Sequence, residues 1–181
     1  PTYYPENGWA EQDADDSYDA AVANIRDILQ KTGVQPGEIV ALALDAATHT
    51  AVLLGADDKP VRRAIYWTDT RSAKQAAELK QKYGSEIIRE SYNSVSSLWT
   101  LPQLKWLSEN EPKTLRKARK LLAVKDYVRY RLTGDYLTDS IEAMGFMLLD
   151  AKQNVWSPLL CGLAGIDPAI LPQIADPMTK L

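Results

Sequence analysis

Apolar positions follow different periods along the first third of the chain, and the switches between them mark elements. Tyr18, Val22, Ile25, Ile28 and Leu29 recur at the spacing that lines one face of a helix. Glu11, Asp13, Asp15, Asp16 and Asp19 precede or open that stripe. Carboxylates suit the positive end of a helix dipole, and Asp15 or Asp16 can cap it, so the acids read as a solvated cap rather than a metal site. Gly33 can take the left-handed turn that ends a helix, with Pro36 just beyond, which predicts a helix over 15–32. Residues 39–44 are a continuous apolar run between Gly37 and Asp45 and read as a strand buried on both faces. Residues 51–54 and 61–67 read as two further strands. The turn-forming stretch 55–60 between them makes 51–67 a hairpin. An amphipathic helix follows over 72–83, stopped by Gly84.

From 86 to 133 the period is mainly helical. Pro102 stands near the start of a helix carrying Leu104, Trp106 and Leu107. Pro112 opens a second helix with Leu115, Ala118, Leu121 and Leu122 as its inner stripe. Residues 126–132 make a third, closed by Thr133-Gly134. Residues 136–138 read as a short strand, and the proline-punctuated tail, 156–181, as helix and turn. The result is a lopsided α/β chain. A doubly wound sheet has several central strands, and only 39–44 is apolar enough for one. Either the hairpin completes a small sheet, or strands lie outside these residues.

Composition narrows the class. The 181 residues are 45% hydrophobic and 25% charged, which allows one domain with a real core and excludes disordered and collagen-like chains. A net charge of -3 argues against a nucleic-acid-wrapping role. Cys161 is the single cysteine, so no internal disulfide forms, in keeping with a reducing cytoplasm. No apolar run approaches the ~18 residues of a membrane span. Residues 1–6 lack the order of a signal peptide.

Two segments carry candidate chemistry. His49, the single histidine, lies in Asp45-Ala46-Ala47-Thr48-His49-Thr50 directly after the predicted central strand. Ligands of open α/β sheets gather beyond such strand ends, and small polar residues there suit a polar substrate. The plain alternative is a hydrogen-bonded loop histidine. The lack of a second histidine and the distance in sequence to Cys161 argue against zinc. The second segment is Trp67-Thr68-Asp69-Thr70-Arg71. An indole covers C–H surfaces, while Asp and Arg bond hydroxyls or anions, a trio suited to sugar recognition. The plain alternative is a helix start, with Asp69 or Thr70 as cap and Arg71 in a surface ion pair. Residues 113–131 hold eight basic residues and one acid, Asp126. Lys113, Arg116, Lys117 and Lys120 fall opposite the predicted apolar stripe, so a solvated helix face explains them better than a nucleic-acid groove. No phosphate-binding glycine loop, dinucleotide fingerprint, Cys-x-x-Cys or nucleophile elbow is present.

A set of ordered motifs says more. Gly8-Trp9-Ala10-Glu11-Gln12-Asp13 is similar to the entry to the first long helix of the FGGY carbohydrate kinases, the family of xylulokinase, gluconate kinase and glycerol kinase. Residues 45–54, the stretch from Ala64 to Ser72, residues 101–107, Lys125-Asp126-Tyr127 through Gly134, and residues 138–150 resemble further family motifs, in the family's order. The resemblance implies an α/β, actin-like, ribonuclease-H-like domain, here helix-rich and truncated with its first strands missing. It implies that residues 1–181 are part of the amino-terminal, sugar-binding domain, with the ATP-binding domain elsewhere. It also implies an enzyme of the cytoplasm that uses ATP and Mg to phosphorylate a small sugar. By matched position, Thr48 and His49 are sugar contacts, Trp67 lies along the substrate carbon chain, and Asp69 and Arg71 complete the wall, mainly as architecture. Asp126 and Asp139 match structural positions. The family's Asp-x-Gly-Thr phosphate turn and its aspartate base are not among these residues, so no catalytic, nucleotide or metal residue is assigned here. Ala46, Ala47, Thr48, Gln103 and Leu98 depart from common family residues. These departures argue against glycerol as substrate and leave a ketopentose such as xylulose, a sugar acid or a polyol. The implied partner is a small sugar, with no nucleic acid and no membrane, and a homodimer left open. The rival function is a non-catalytic sugar-binding or protein-interaction module on the same fold.

Overall fold

The computed structural model describes residues 1–176 and 178. Strands β1 (Thr2–Tyr3) and β2 (Glu11–Gln12) pair antiparallel and lead into helix α1 (Ala14–Thr32). Asp13, rather than Asp15 or Asp16, caps α1: its side chain accepts the Asp15 N–H. Gly33 ends α1 with φ 72°, its N–H returning to Leu29 O. Beyond a single 3-10 turn, residues 39–44 form no strand, which corrects the sequence expectation. Val40 is 99% exposed and Leu42 51% exposed. Apolar character marks a segment that gains by burial, but a strand also needs a neighbour to satisfy its backbone, and among the described residues this run has none.

The strand buried on both faces is β3 (Ala51–Leu54). It is followed by β4 (Ala64–Ile65), shorter than the predicted 61–67. A hairpin does close between them: Leu54 bridges Pro60, and the Val61 N–H donates to Leu53 O at 2.9 Å. Their main ladders nevertheless go elsewhere. β4 pairs with β2 to complete a three-stranded antiparallel sheet. Helix α2 (Ala73–Ser91) leaves helical geometry at Tyr83, φ -135° and ψ 15°, beside the predicted stop at Gly84, and a second helical stretch continues from there to Ser91. Helix α3 (Thr100–Asn110) follows, and then α4 (Pro112–Leu115) lasts only one turn. The predicted continuous helix from Pro112 through Leu122 is thereby corrected, because Lys120–Ala123 is strand β5.

β5 is the ladder partner of β3, antiparallel, with Val52 opposite Leu122 and Leu53 opposite Leu121. Side chains alternate faces along a strand. Leu53, Leu121 and Ala123 enter the larger apolar cluster, with Leu101, Leu104, Phe146 and Leu160. Val52, Leu54 and Leu122 face the other way, onto Ala14, Val124 and Tyr127. The helical spacing of Leu115, Ala118, Leu121 and Leu122 was therefore a coincidence of period in a stretch that changes element. Helix α5 (Val124–Thr133) ends at Gly134, φ 83°, as predicted. Strand β6 (Leu137–Asp139), helix α6 (Ser140–Gly145), strands β7 (Leu149–Asp150) and β8 (Val155–Trp156), helix α7 (Pro158–Ala164) and strand β9 (Gln173–Ala175) complete the order. β9 pairs parallel with β6, and β7 pairs antiparallel with β8. The predicted helix-and-turn tail thus also contains strands, and its residues 177 and 179–181 lie outside the described ones.

The basic stretch divides by partner rather than by helix face. Lys120, Lys125, Arg129 and Arg131 each reach a carboxylate, while Lys113, Arg116 and Lys117 are exposed. Leu122 is fully buried on the ladder's second face. Leu122→Ala is expected to cost about 2–5 kcal/mol, read by urea unfolding at constant m-value.

Candidate functional site

The β3–β4 hairpin sends two loops out of one end, because antiparallel strands start and finish together there. Residues 48–50 enter β3 from that end and residues 66–72 leave β4 there. Thr48 is exposed, while His49 is buried at 6% exposure with a left-handed backbone, φ 49°. Thr48 Oγ1 donates to Glu142 Oε1 at 3.0 Å, and the His49 N–H donates to the same oxygen. Thr100 Oγ1 donates to His49 O at 2.6 Å, and the Val124 N–H to Thr50 O at 3.2 Å. The loop is thus pinned from α6, α3 and the start of α5. The imidazole lies 5.0 Å from the Trp99 ring, tilted by 54°, and its buried Nδ1 has no hydrogen-bond partner.

The second loop is held from beneath. Asp69 is buried at 1% exposure. Its Oδ2 accepts the Ala10 N–H at 2.5 Å and Arg71 Nη2 at 2.8 Å, and its Oδ1 accepts Arg71 N and Nε. The Arg71 side chain is fully enclosed. It pairs with Glu11 at 2.8 Å and lies 3.7 Å over the Trp9 ring, with Trp106 at 5.2 Å. Gly8, φ 78°, must be glycine: a Cβ would meet Thr70 Oγ1 at 2.5 Å. Asp69 is therefore neither a cap of α2 nor open to solvent, and the Arg71 ion pair is buried rather than superficial. Trp67, above this clamp, is 42% exposed beside Tyr66 and does not belong to the core.

Both loops lean on residues 93–99. Trp99 faces His49, and Ser97 O accepts from Ser72 Oγ at 3.0 Å. Trp99 is itself fixed by its indole N–H donating to Ser94 O. Trp99 and Glu142 were missed by sequence reasoning. Trp99 could have been found as an aromatic just before a predicted helix. Glu142 has no local signal, since its partners lie more than ninety residues away. Asp139 caps α6 by accepting the Ile141 and Glu142 N–H groups, while Asp126 accepts from Thr138 and pairs with Lys125.

Burial sets the protonation of the site. It holds the His49 imidazole below its ordinary value of 6.5. Burial pushes Glu142 up, against the His49 N–H, Lys125 and Thr48, which favour its ionised form. A depressed histidine contributes stability that is full above its unfolded value and lost as pH falls through the folded one. Glu142 acts with the opposite sign, gaining relative stability as pH falls. The melting temperature of the wild-type protein should accordingly drop more between about pH 7.5 and about pH 5 than that of His49→Gln, as measured by scanning calorimetry.

Comparison with known proteins places this architecture. Residues 1–180 match the model of the FGGY family of carbohydrate kinases, N-terminal domain. The chain is 31% identical over 176 residues to xylulose kinase of Bacillus subtilis, covering 97% of this chain and 35% of that protein. It is also 31% identical, over 180 residues, to glycerol kinase of Thermococcus gammatolerans, covering 97% of this chain and 36% of that protein. The crystal structure of gluconate kinase from Lactobacillus acidophilus superposes with a TM-score of 0.92 at 28% identity, covering 99% of this chain and 36% of that one. The chain spans about a third of the length of these relatives, and its fold is the actin-like, ribonuclease-H-like α/β fold of sugar kinases. The motifs that order its loops and the match along nearly all its length agree, and the chain belongs to the FGGY family of carbohydrate kinases, in the family's N-terminal domain.

Proposed function

We propose that the full-length protein transfers the γ-phosphoryl group of ATP to a hydroxyl of a small sugar, and that residues 1–181 form part of its sugar-binding half. One observation supports this best: the loop of Thr48 and His49 and the loop of Trp67 rest on the same segment, residues 93–99. The exposed Trp67 indole offers a flat apolar face to a sugar's C–H surface, and the exposed Thr48 offers its hydroxyl oxygen to the sugar's hydroxyls, with His49 packed beneath it. Asp69 and Arg71 act on the sugar indirectly, by holding the loop that carries Trp67. Phosphoryl transfer is mainly positioning and charge neutralisation, and orientation of the acceptor hydroxyl is what these residues contribute.

The nucleotide and its magnesium do not fit the groups gathered here. Asp69 spends both oxygens on Ala10 and Arg71, and Glu142 turns one oxygen to Thr48 and His49 and the other toward Lys125. The rest of the full-length protein would hold them. A ketopentose such as xylulose is the preferred substrate in this reading. Leu98 stands where glycerol kinases carry a tyrosine, while Thr48 stands where the xylulokinase version carries a methionine, and the glycerol and xylulose kinase relatives match at the same 31% identity.

Full-length protein should turn over a ketose or polyol with MgATP in a coupled assay, and no turnover across a panel of ketoses, polyols and sugar acids would overturn the reading. Trp67→Ala should raise KM for the sugar about tenfold, the equivalent of about 1.4 kcal/mol of lost contact, with a smaller change in kcat. A lowered melting temperature with unaltered sugar kinetics would instead make Trp67 purely structural. The isolated 181-residue chain should show no sugar-dependent ATP turnover.

A further inference from the structure

We propose that helix α6 is the positioning element of the sugar pocket, with Glu142 as a positioning residue that clamps Thr48 and His49 and makes the Thr48 oxygen an acceptor for a ligand hydroxyl. This rests on the sugar-kinase reading above. His49 holds a left-handed backbone without being glycine, a conformation that persists only where its surroundings enforce it. The enforcing group is one carboxylate oxygen, Glu142 Oε1, which accepts both the His49 N–H and the Thr48 hydroxyl. Glu142 is 3% exposed, so the buried N–H has no water to replace it.

The clamp is itself built to be rigid. Asp139 caps α6 and accepts the Glu142 N–H at 2.9 Å, fixing the turn from which the side chain leaves. Lys125 lies 4.0 Å from Glu142 Oε2 while held by Asp126 at 2.8 Å and Asp139 at 2.7 Å. One helical turn further on, Gly145 leaves the gap in which the loop sits. A Cβ there would lie 3.0 Å from Thr48 Oγ1 and 3.2 Å from His49 Cβ.

Specificity follows from the direction of one proton. Thr48 gives its hydroxyl hydrogen to Glu142, so its oxygen faces the open side with lone pairs only. A sugar hydroxyl can donate to it, whereas a carboxylate cannot. At this point the pocket is thereby set for a hydroxyl of the sugar rather than for a carboxylate.

The test uses the full-length protein with a ketose panel and the matching sugar acids. Glu142→Ala should raise KM for the sugar at least about tenfold while leaving KM for ATP within about twofold. Glu142→Gln, which keeps an acceptor oxygen, should restore sugar KM to within about threefold of wild type. Gly145→Ala should raise sugar KM with the carboxylate intact, and it reads the same clamp if Glu142→Ala fails to fold. An unchanged sugar KM in both Glu142→Ala and Gly145→Ala, or an equal rise in KM for ATP, overturns the proposal. A wild-type protein inactive on every sugar would instead defeat the kinase reading. The clamp is then read from the His49 imidazole nitrogen resonances, assigned by loss in His49→Gln. They should move in Glu142→Ala and stay in Glu142→Gln, and no movement in the alanine variant overturns it.

Discussion

The antiparallel ladder between Ala51–Leu54 and Lys120–Ala123 is the constraint on which the rest depends. Its two faces serve two apolar clusters, so a slip of one residue would exchange every side chain between them. That doubles the penalty for any other register and fixes where the strands begin and end. Residues 48–50 enter the ladder and the start of α5 leaves it, and the Val124 N–H bonding to Thr50 O ties the two. The candidate pocket inherits its precision from this packed element rather than from the loops themselves.

A second device carries the other wall. The Arg71 guanidinium is enclosed between two indoles and two carboxylates, from Glu11 and Asp69. Burying charge is costly, and such a cluster adds little net stability compared with an apolar replacement, yet removing one member strands the others at a cost of about 3–5 kcal/mol. Arg62 extends it by pairing with Glu11 and Glu111. The arrangement is better explained by specificity than by stability. It bonds the entry segment at Ala10 to the loop of Trp67 in one geometry, and leaves the indole as the exposed part of an otherwise closed structure.

Polar groups around His49 follow the same logic with smaller charges. Buried Glu142 and Asp126 and half-buried Lys125 and Asp139 form a set in which Lys125 bridges carboxylates. Each group is oriented by a neighbour, through to the Thr48 hydroxyl at the open edge. A polar pocket needs such supported groups, because unsupported side chains lose their orientation to solvent and to their own rotamer freedom.

Much of this was determined by local sequence. The long first helix, the left-handed stops at Gly33 and Gly134, the turn at 55–60 and the candidate segments around His49 and Trp67 depend on short-range sterics, capping and period, which a single chain displays directly. Tertiary structure decided which apolar segment became the two-faced strand. Residues 39–44 are more apolar than 120–123, which include Lys120, but among the described residues only the latter found a backbone partner, and hydrophobicity carries no information about partners. It also decided that the Asp69–Arg71 pair faces inward and that Glu142, remote in sequence, clamps His49. Those outcomes rest on contacts between distant residues, where burial strengthens each electrostatic interaction and penalises each unpaired group, and neither effect exists until the chain has packed.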